Sequence, residues 1–567
     1  MLHRKDILLS IWKANRSLVV LCLGLSFISG IITISIPIAI GKYYDFLFGY
    51  NSFKAQLLDF LPIDLDDIRI FLWFFFGLVV INIFILYGQK YTVGLLGEKV
   101  VYQVRNSLFK HQLSIPLRDY EDKGVGRYLL RFSGDLSSIK NFITKGMVLF
   151  FSDIILLLLS IVVLYSIDYR LGMIMMIGLL IPLGIILLLN RWLSQRTRTH
   201  RRSKSLLLSF TNTRLRGINT IQFFNKDVPE RKKFKKLADK SLSAGIQYQK
   251  VVGLINAIIP GSLYLLVAGL FAFLYYGNYL NQPSTGSGIL VFIIILLTIL
   301  PVIRRLLRVN IVWELGNISF EKLLNVYNRA SNINELSPKF VYNTGEVEID
   351  HLSYEYKAGQ KIFETLCLSF PSKSISVLTG NPGTGKSTLM KLITGLYKPN
   401  SGTIMIDGQD ISNVNLKSLR RHIAIISDDV PLMGSTVFES ISYSRKAIKR
   451  GLAQEVLEYL QKGNQSLDPL RLDDSIGDLG AQLSKGQRKL LAYARALLTG
   501  KEILIIDEPF DGFSGDSYQF WADELQHLAT DKTVIVFSVK ELSNLIRTPY
   551  RFNMFKDVEQ VSVAVES

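Results

Sequence analysis

The chain has 567 residues, enough for two or more domains, of which 49% are hydrophobic and only 20% charged. Its mean hydropathy is positive, which argues against an ordinary soluble enzyme. The formal charge of +18 invites a nucleic-acid reading, but much of it lies between apolar blocks, as in cytoplasmic loops, so no nucleic-acid partner is expected.

His3 to Arg16 is basic and moderately amphipathic, compatible with a short helix along the inner membrane face or with a solvated tail. Six blocks then have the length and apolarity of membrane spans: Ser17–Ile40, Ile68–Tyr87, Gly146–Ile167, Leu171–Asn190, Val252–Tyr276 and Gly288–Leu307. The first is too long for a signal-peptide core and reads as retained. The connections Gln89 to Lys145 and Arg191 to Lys250 are long and basic; the second has about sixteen Lys and Arg against Asp227, Glu230 and Asp239. The connection Gly41 to Asp67 is acidic, and the turns near Asp168 and Pro283 are short. The positive-inside rule predicts cytoplasmic termini and cytoplasmic long connections, with helices running past the bilayer to a tight turn. Cys22 and Cys367 lie in dissimilar, distant segments, and their spacing suggests neither a disulfide framework nor a metal cluster.

The first long connection contains Tyr120-Glu121-Asp122-Lys123-Gly124-Val125-Gly126-Arg127-Tyr128-Leu129 and Ser133-Gly134-Asp135; the second contains Thr213-Arg214-Leu215-Arg216-Gly217-Ile218 and Gln222-Phe223-Phe224. These stretches resemble the intracellular loops of ATP-binding cassette (ABC) exporters, and the similarity runs to about Val539. The resemblance implies short coupling helices at the loop ends that dock on nucleotide domains. Asn82, Asp153, Asn256, Arg304, Arg305 and Arg308 are polar positions in or near the spans. The three arginines are expected to snorkel where the sixth span leaves the membrane, with lining of a cargo cavity as the rival reading. Pro260 and Pro301 are expected to kink their helices.

Ser319 to Phe340 reads as a helix running into a polar segment, Ser331 to Pro338, which marks the boundary. The expected organisation is a helical transmembrane domain over 1–318, a linker over 319–341 and an α/β nucleotide-binding domain over 342–567, where strand and helix patterns alternate. Within it, Gly380-Asn381-Pro382-Gly383-Thr384-Gly385-Lys386-Ser387-Thr388 follows an apolar strand and precedes a helix. That setting identifies a phosphate loop. Its glycines let backbone N–H groups face phosphates, Lys386 reaches the β- and γ-phosphates of ATP, and the Ser387 hydroxyl is placed for Mg²⁺. Ile503-Leu504-Ile505-Ile506-Asp507-Glu508 is an apolar strand ending in two carboxylates, with Asp507 placed for Mg²⁺.

The resemblance adds further roles. Tyr356 matches the aromatic that stacks on adenine, and Glu508 the general base that orients the attacking water. Leu483-Ser484-Lys485-Gly486-Gln487 resembles the signature loop, so Ser484, Lys485, Gly486 and Gln487 would serve the ATP of an opposite subunit. Three positions depart from the family pattern. Asp428 stands where a glutamine is usual, and is a further candidate for Mg²⁺. Val539 stands where a histidine contacts the γ-phosphate. Ser514 stands where the loop after the general base ends in Asp. Lys485 also replaces a glycine.

The implied function is ATP-dependent export by a half-transporter that pairs with a second one, as a homodimer or heterodimer, in a bacterial-type plasma membrane. No peptidase-like segment precedes the spans, so cargo cleavage is not expected. The alternative is an ATP-binding, weakly hydrolysing regulatory subunit of a heterodimer. The exported substrate is left open between peptide, lipid and small molecule.

Overall fold

The structure, a computed structural model, describes residues 4–48, 67–167, 169–276, 285–329, 337–357, 359–443, 448–548, 550–554 and 562–563. The Gly41–Asp67 connection, Asp168, the turn at Pro283 and most of Ser331–Pro338 therefore fall largely outside the described residues. The chain divides into two units, Met1–Leu113 with Val125–Arg329, and Ser114–Gly124 with Ala330–Ser567.

The first unit is helical. Its elements are α1 (Arg4–Ala14), α2 (Arg16–Phe48), α3 (Ile68–Gln112), then α4 (Leu117–Lys123), which belongs to the second unit, α5 (Val125–Leu130), α6 (Leu136–Ile143), α7 (Leu149–Ile167), α8 (Tyr169–Arg216), α9 (Ile218–Phe223), α10 (Asp227–Tyr276) and α11 (Thr285–Tyr327). Short π-helical turns at Arg131–Asp135 and Thr144–Val148 carry the chain from α5 through α6 into α7. Among the described residues, five helical stretches are long and apolar enough to cross a membrane: Arg16–Phe48, Ile68–Gln112, Leu136–Ile167, Asp227–Ala272 and Gly288–Tyr327. The predicted block Leu171–Asn190 lies inside α8 and is not one of these five. The 45 residues of α3 extend about 68 Å at 1.5 Å per residue, well beyond a hydrocarbon core of about 30 Å. The basic connections are thus continuations of spans, as their periodicity predicts.

Several polar groups inside the helical unit find partners, as a low-dielectric setting favours, whereas Asn82 Oδ1 has no hydrogen-bond partner among the described residues. The Gln89 amide donates to Ser26 Oγ at 2.9 Å and Ser152 Oγ at 3.1 Å, joining α3 to α2 and α7. Arg305 does not simply snorkel. Its guanidinium makes two hydrogen bonds, 3.0 and 2.6 Å, to the buried Asp153 carboxylate, and Arg308 donates to the Asn256 side-chain oxygen. This arrangement is a partner-seeking one that sequence position alone did not reveal.

The second unit has two sheets. One is antiparallel, ordered β2 (Lys361–Phe370), β1 (Val347–Glu355), β4 (Ser401–Ile406), β5 (Gln409–Asp410). The other is ordered β10 (Ser562–Val563), β9 (Tyr550–Met554), β3 (Ile375–Gly380), β8 (Thr533–Ser538), β7 (Ile503–Asp507), β6 (Ile423–Ile426). Strands β9, β3, β8, β7 and β6 run parallel. Of these, β3, β8, β7 and β6 are rich in Val, Ile and Leu because both faces are covered: β8 is buried at all six positions. The helices are α12 (Lys386–Ile393), α13 (Leu416–Leu419), α14 (Val437–Ile441), α15 (Arg450–Lys462), α16 (Lys485–Thr499) and α17 (Tyr518–Ala529). Parallel strands put their carboxyl ends on one edge, so the loops after β3, β6, β7 and β8 meet there.

Candidate functional site

The phosphate loop leaves β3 at Gly380 and enters α12 at Lys386. Gly383 and Gly385 have φ of +89° and +101°, left-handed values that cost a side chain about 1 kcal/mol or more. A Cβ on Gly385 would also lie 2.7 Å from both Ile362 and Phe363. Among the described residues no protein acceptor takes the N–H groups of Gly383, Gly385 or Lys386. Orphan donors at a helix start, wrapped in a glycine-bounded loop, fit a triphosphate. Lys386 is 7% exposed and donates to the carbonyls of Gly380 and Asn381, closing over its own loop. Burial pushes its ammonium below the ordinary lysine range, with the charges of Glu508 and Asp507 opposing that. Thr384 Oγ1 donates to Asn381 O and thereby fixes the loop beside Pro382.

Asp507 ends β7 at the same edge, and its Oδ2 accepts from Ser427 Oγ at 3.2 Å. Burial raises its carboxyl above the ordinary aspartate range. Glu508 follows with φ +50°, a strained value for a non-glycine residue that aims its side chain off the strand axis. Burial raises this carboxyl too, and the neighbouring Asp507 adds to the rise. Oxygen ligands from a hydroxyl and a carboxylate, Ser387 and Asp507, are the donor set Mg²⁺ prefers.

Val539 has the departure that matters most for Glu508. Its side chain offers no polar group, but its backbone N–H donates to Glu508 Oε1 at 2.8 Å. The loop after β8 therefore orients the Glu508 carboxylate through the main chain, with an N–H that any residue but proline supplies. Lys540 is tied to Ser538 through its backbone, and its side chain is exposed rather than folded inward.

Tyr356 lies just after β1, half-buried. Its hydroxyl bonds Thr388 Oγ1 at 2.8 Å, and its ring stands edge-on to Tyr397 at 5.9 Å. It thus sits against the phosphate-loop helix, with part of its ring surface open. The segment Ser114–Gly124 packs in the same neighbourhood. Arg118 of α4 donates to the Tyr356 carbonyl, and Glu121 accepts from Lys391 at 3.0 Å and from the Tyr397 hydroxyl. α12 therefore begins at the phosphate-loop lysine and, five residues on, grips α4.

The signature stretch forms a capping box. Ser484 Oγ accepts from Gln487 N at 3.2 Å, and the Gln487 side chain accepts from Ser484 N at 2.9 Å. Lys485 at the glycine position points away from the cap and pairs with Asp511 at 2.5 Å, with Asp428 at 3.8 Å. Asp428 thus faces a lysine of its own chain. Ser514 shares a 2.9 Å hydrogen bond with Ser466. Gly486 and Gly512 are in close approach: a Cβ on Gly486 would lie 2.4 Å from the Gly512 carbonyl. Gly486→Ala is expected to destabilise this junction by about 1–3 kcal/mol, the cost of overpacking. A lower thermal midpoint for the nucleotide unit checks this, and an unchanged midpoint refutes it.

Sequence reasoning missed two residues. Ser427 was passed over for its neighbour Asp428. Lys489 is 2% exposed, and its ammonium donates to the Asp507 carbonyl; burial pushes it below the ordinary lysine range. The signal was present: Gly486, Lys489, Leu490 and Tyr493 share the buried face of α16, and a lysine on an apolar stripe needs a partner.

Two family models match the chain, the ABC transporter transmembrane region over residues 19–300 and ABC transporter over residues 363–511. The chain belongs to the ABC transporters. As such it is a multi-pass membrane protein and a nucleotide-binding ATPase coupled to transmembrane transport. This ABC transporter chain is 26% identical over 489 residues to the uncharacterized ABC transporter ATP-binding protein YknV of Bacillus subtilis, covering 82% of the chain and 76% of that protein. It is 25% identical over 477 residues to the ATP-dependent lipid A-core flippase of Mannheimia succiniciproducens, covering 81% and 80%. It is 25% identical over 457 residues to a multidrug resistance ABC transporter ATP-binding and permease protein of Lactococcus lactis, covering 79% and 76%. In fold it is similar to a bacterial Atm1-family ABC exporter with ATP bound, with a TM-score of 0.81 at 20% identity over 97% of this chain and 95% of that one.

Proposed function

We propose that the chain is one half of an ATP-driven exporter with six spans, cytoplasmic termini and a plasma-membrane location, and that its own site hydrolyses ATP slowly. The observation that carries the slow step is the pair Val539 and Asp428. Val539 orients Glu508 through its N–H but offers no side-chain donor toward a γ-phosphate, and Asp428 faces Lys485. Losing one donor aimed at developing charge typically costs about 2.7–4 kcal/mol of barrier.

In this reading the N–H groups of Gly383, Gly385 and Lys386 hold the phosphates, with Asn381, Pro382, Thr384 and Thr388 shaping the loop. Tyr356 offers its ring to adenine. Ser387 and Asp507 hold Mg²⁺, which when bound screens the phosphate charge. Glu508 accepts the proton of the attacking water. Ser484, Lys485, Gly486 and Gln487 present a capped helix N-terminus to the nucleotide of a second half-transporter. The pairing follows because the phosphate loop and the signature stretch belong to different nucleotides. α9 offers Phe223 at 85% exposure and, just beyond it, Phe224 at 69%, apolar surface of the kind a docking element needs. The relatives named for lipid A-core flipping and multidrug resistance support a lipid or drug-like cargo.

A second reading, a regulatory subunit of a heterodimer, is favoured by the same two substitutions, since the capping box here is intact and would serve a better-equipped partner. The test is steady-state ATP turnover in lipid nanodiscs. The variant Val539→His/Asp428→Gln is expected to turn over ATP at least about tenfold faster than wild type at similar ATP affinity. Equal rates would show that the two substitutions do not limit hydrolysis.

A further inference from the structure

We propose that Asp350, His351 and Cys367 form a surface site for a divalent transition metal of the Zn²⁺ class, on the antiparallel sheet of the nucleotide unit. The local backbone builds it. In the β1–β2 ladder Ile349 pairs with Leu368 and Leu352 with Leu366, so Asp350 and His351 together oppose Cys367 alone. That two-against-one count is a β-bulge, which re-aims side chains on the bulged strand. His351 carries the strain at φ +45°, and its carbonyl abuts Gly402 of β4, where a Cβ would come within 2.3 Å.

The donors converge. His351 Nδ1 and Asp350 Oδ1 are 2.6 Å apart, Cys367 Sγ lies 4.0 Å from the same oxygen, and one ligand atom from each residue falls within 4.8 Å of the others. Tetrahedral bonds of about 2.0–2.3 Å place neighbouring ligands about 3.3–3.7 Å apart. The observed separations bracket that edge, so small side-chain rotations close the site. The His351 backbone N–H is already directed at the sulphur, at 3.3 Å, which fixes the thiol opposite the imidazole. A thiolate and an imidazole with one carboxylate select zinc-class ions over Mg²⁺ or Ca²⁺. All three residues are exposed, which leaves the fourth position to water and makes the ion exchangeable. Binding releases the Cys367 proton to solvent, so affinity rises with pH. None of these residues belongs to the nucleotide site, and neither cysteine's sequence spacing hinted at a ligand set.

The chain has two cysteines, and Cys22 is buried while Cys367 is exposed. Maleimide labelling of the folded, full-length, tag-free protein in detergent therefore reads Cys367 alone. One equivalent of Zn²⁺ is expected to slow labelling by about tenfold or more, with EDTA restoring it. His351→Asn, whose side chain tolerates a left-handed backbone, is expected to label at the same rate with and without zinc. Co²⁺ should give a thiolate-to-metal absorption band in wild type and none in His351→Asn. Wild-type labelling unmoved by zinc overturns the proposal. So does equal protection in His351→Asn, which would reduce the site to a thiol binding metal by itself.

Discussion

Glu508→Gln is expected to reduce ATP turnover by about 10²–10³-fold while leaving ATP affinity within a few-fold of wild type. The isosteric amide keeps an oxygen for the Val539 N–H, which now holds Glu508 Oε1 at 2.8 Å, so the loop stays in place. What it loses is the negative charge that, in the proposed role, takes the water's proton. The pH dependence follows from the same burial. Glu508 must be ionised to act, and burial with Asp507 beside it raises its carboxyl above the ordinary glutamate range. Turnover should therefore be full above that raised value and fall as pH drops through it, with the acid limb displaced upward from an ordinary carboxylate's. Stopped-assay turnover across pH, beside equilibrium nucleotide binding, checks both statements. Unchanged turnover in Glu508→Gln would remove this residue from the base role.

Lys386→Met is expected to weaken ATP binding by about 10–100-fold, the equivalent of one charge-assisted contact of about 1.5–3 kcal/mol. Lys386 is buried and bonded to the carbonyls of Gly380 and Asn381. Binding is expected to exchange those two neutral acceptors for phosphate oxygens, a stronger pairing for an ammonium that is already partly desolvated. Methionine keeps the length and the packing, so a fluorescent ATP analogue reports the charge rather than the fold. Affinity equal to wild type would show that the N–H groups of Gly383, Gly385 and Lys386 suffice alone.

The fold class was legible because both halves announce themselves by period. Spans long enough for a bilayer admit few alternatives, and apolar β3 and β7 flow directly into Gly380 and Asp507. The strand–loop–helix that carries the candidate phosphate loop was legible for a stronger reason: its residue types are dictated by backbone geometry, with Gly383 and Gly385 in left-handed conformations that side chains avoid. Roles that depend on who faces whom across the fold were not legible. Arg305 read as a headgroup anchor until Asp153 appeared opposite it on another helix. Val539 read as a lost contact, because a one-letter code shows the missing imidazole and hides the N–H. Asp428 and Lys485 are both departures, 57 positions apart, and only folding brings them to 3.8 Å. Asp350, His351 and Cys367 are assembled by a ladder irregularity that no periodicity encodes.

The helix that follows the candidate phosphate loop is linked within one unit to α4, through Lys391 and Glu121, as is Tyr356 through Arg118. Hydrogen–deuterium exchange in nanodiscs tests whether nucleotide acts through that link, comparing residues 117–123 with and without ATP and Mg²⁺ in wild type and Lys386→Met. Slower exchange of this segment on ATP addition in wild type, and no change in Lys386→Met at the same ATP concentration, is the predicted outcome. Exchange in this segment that ignores saturating ATP in the wild type would contradict it.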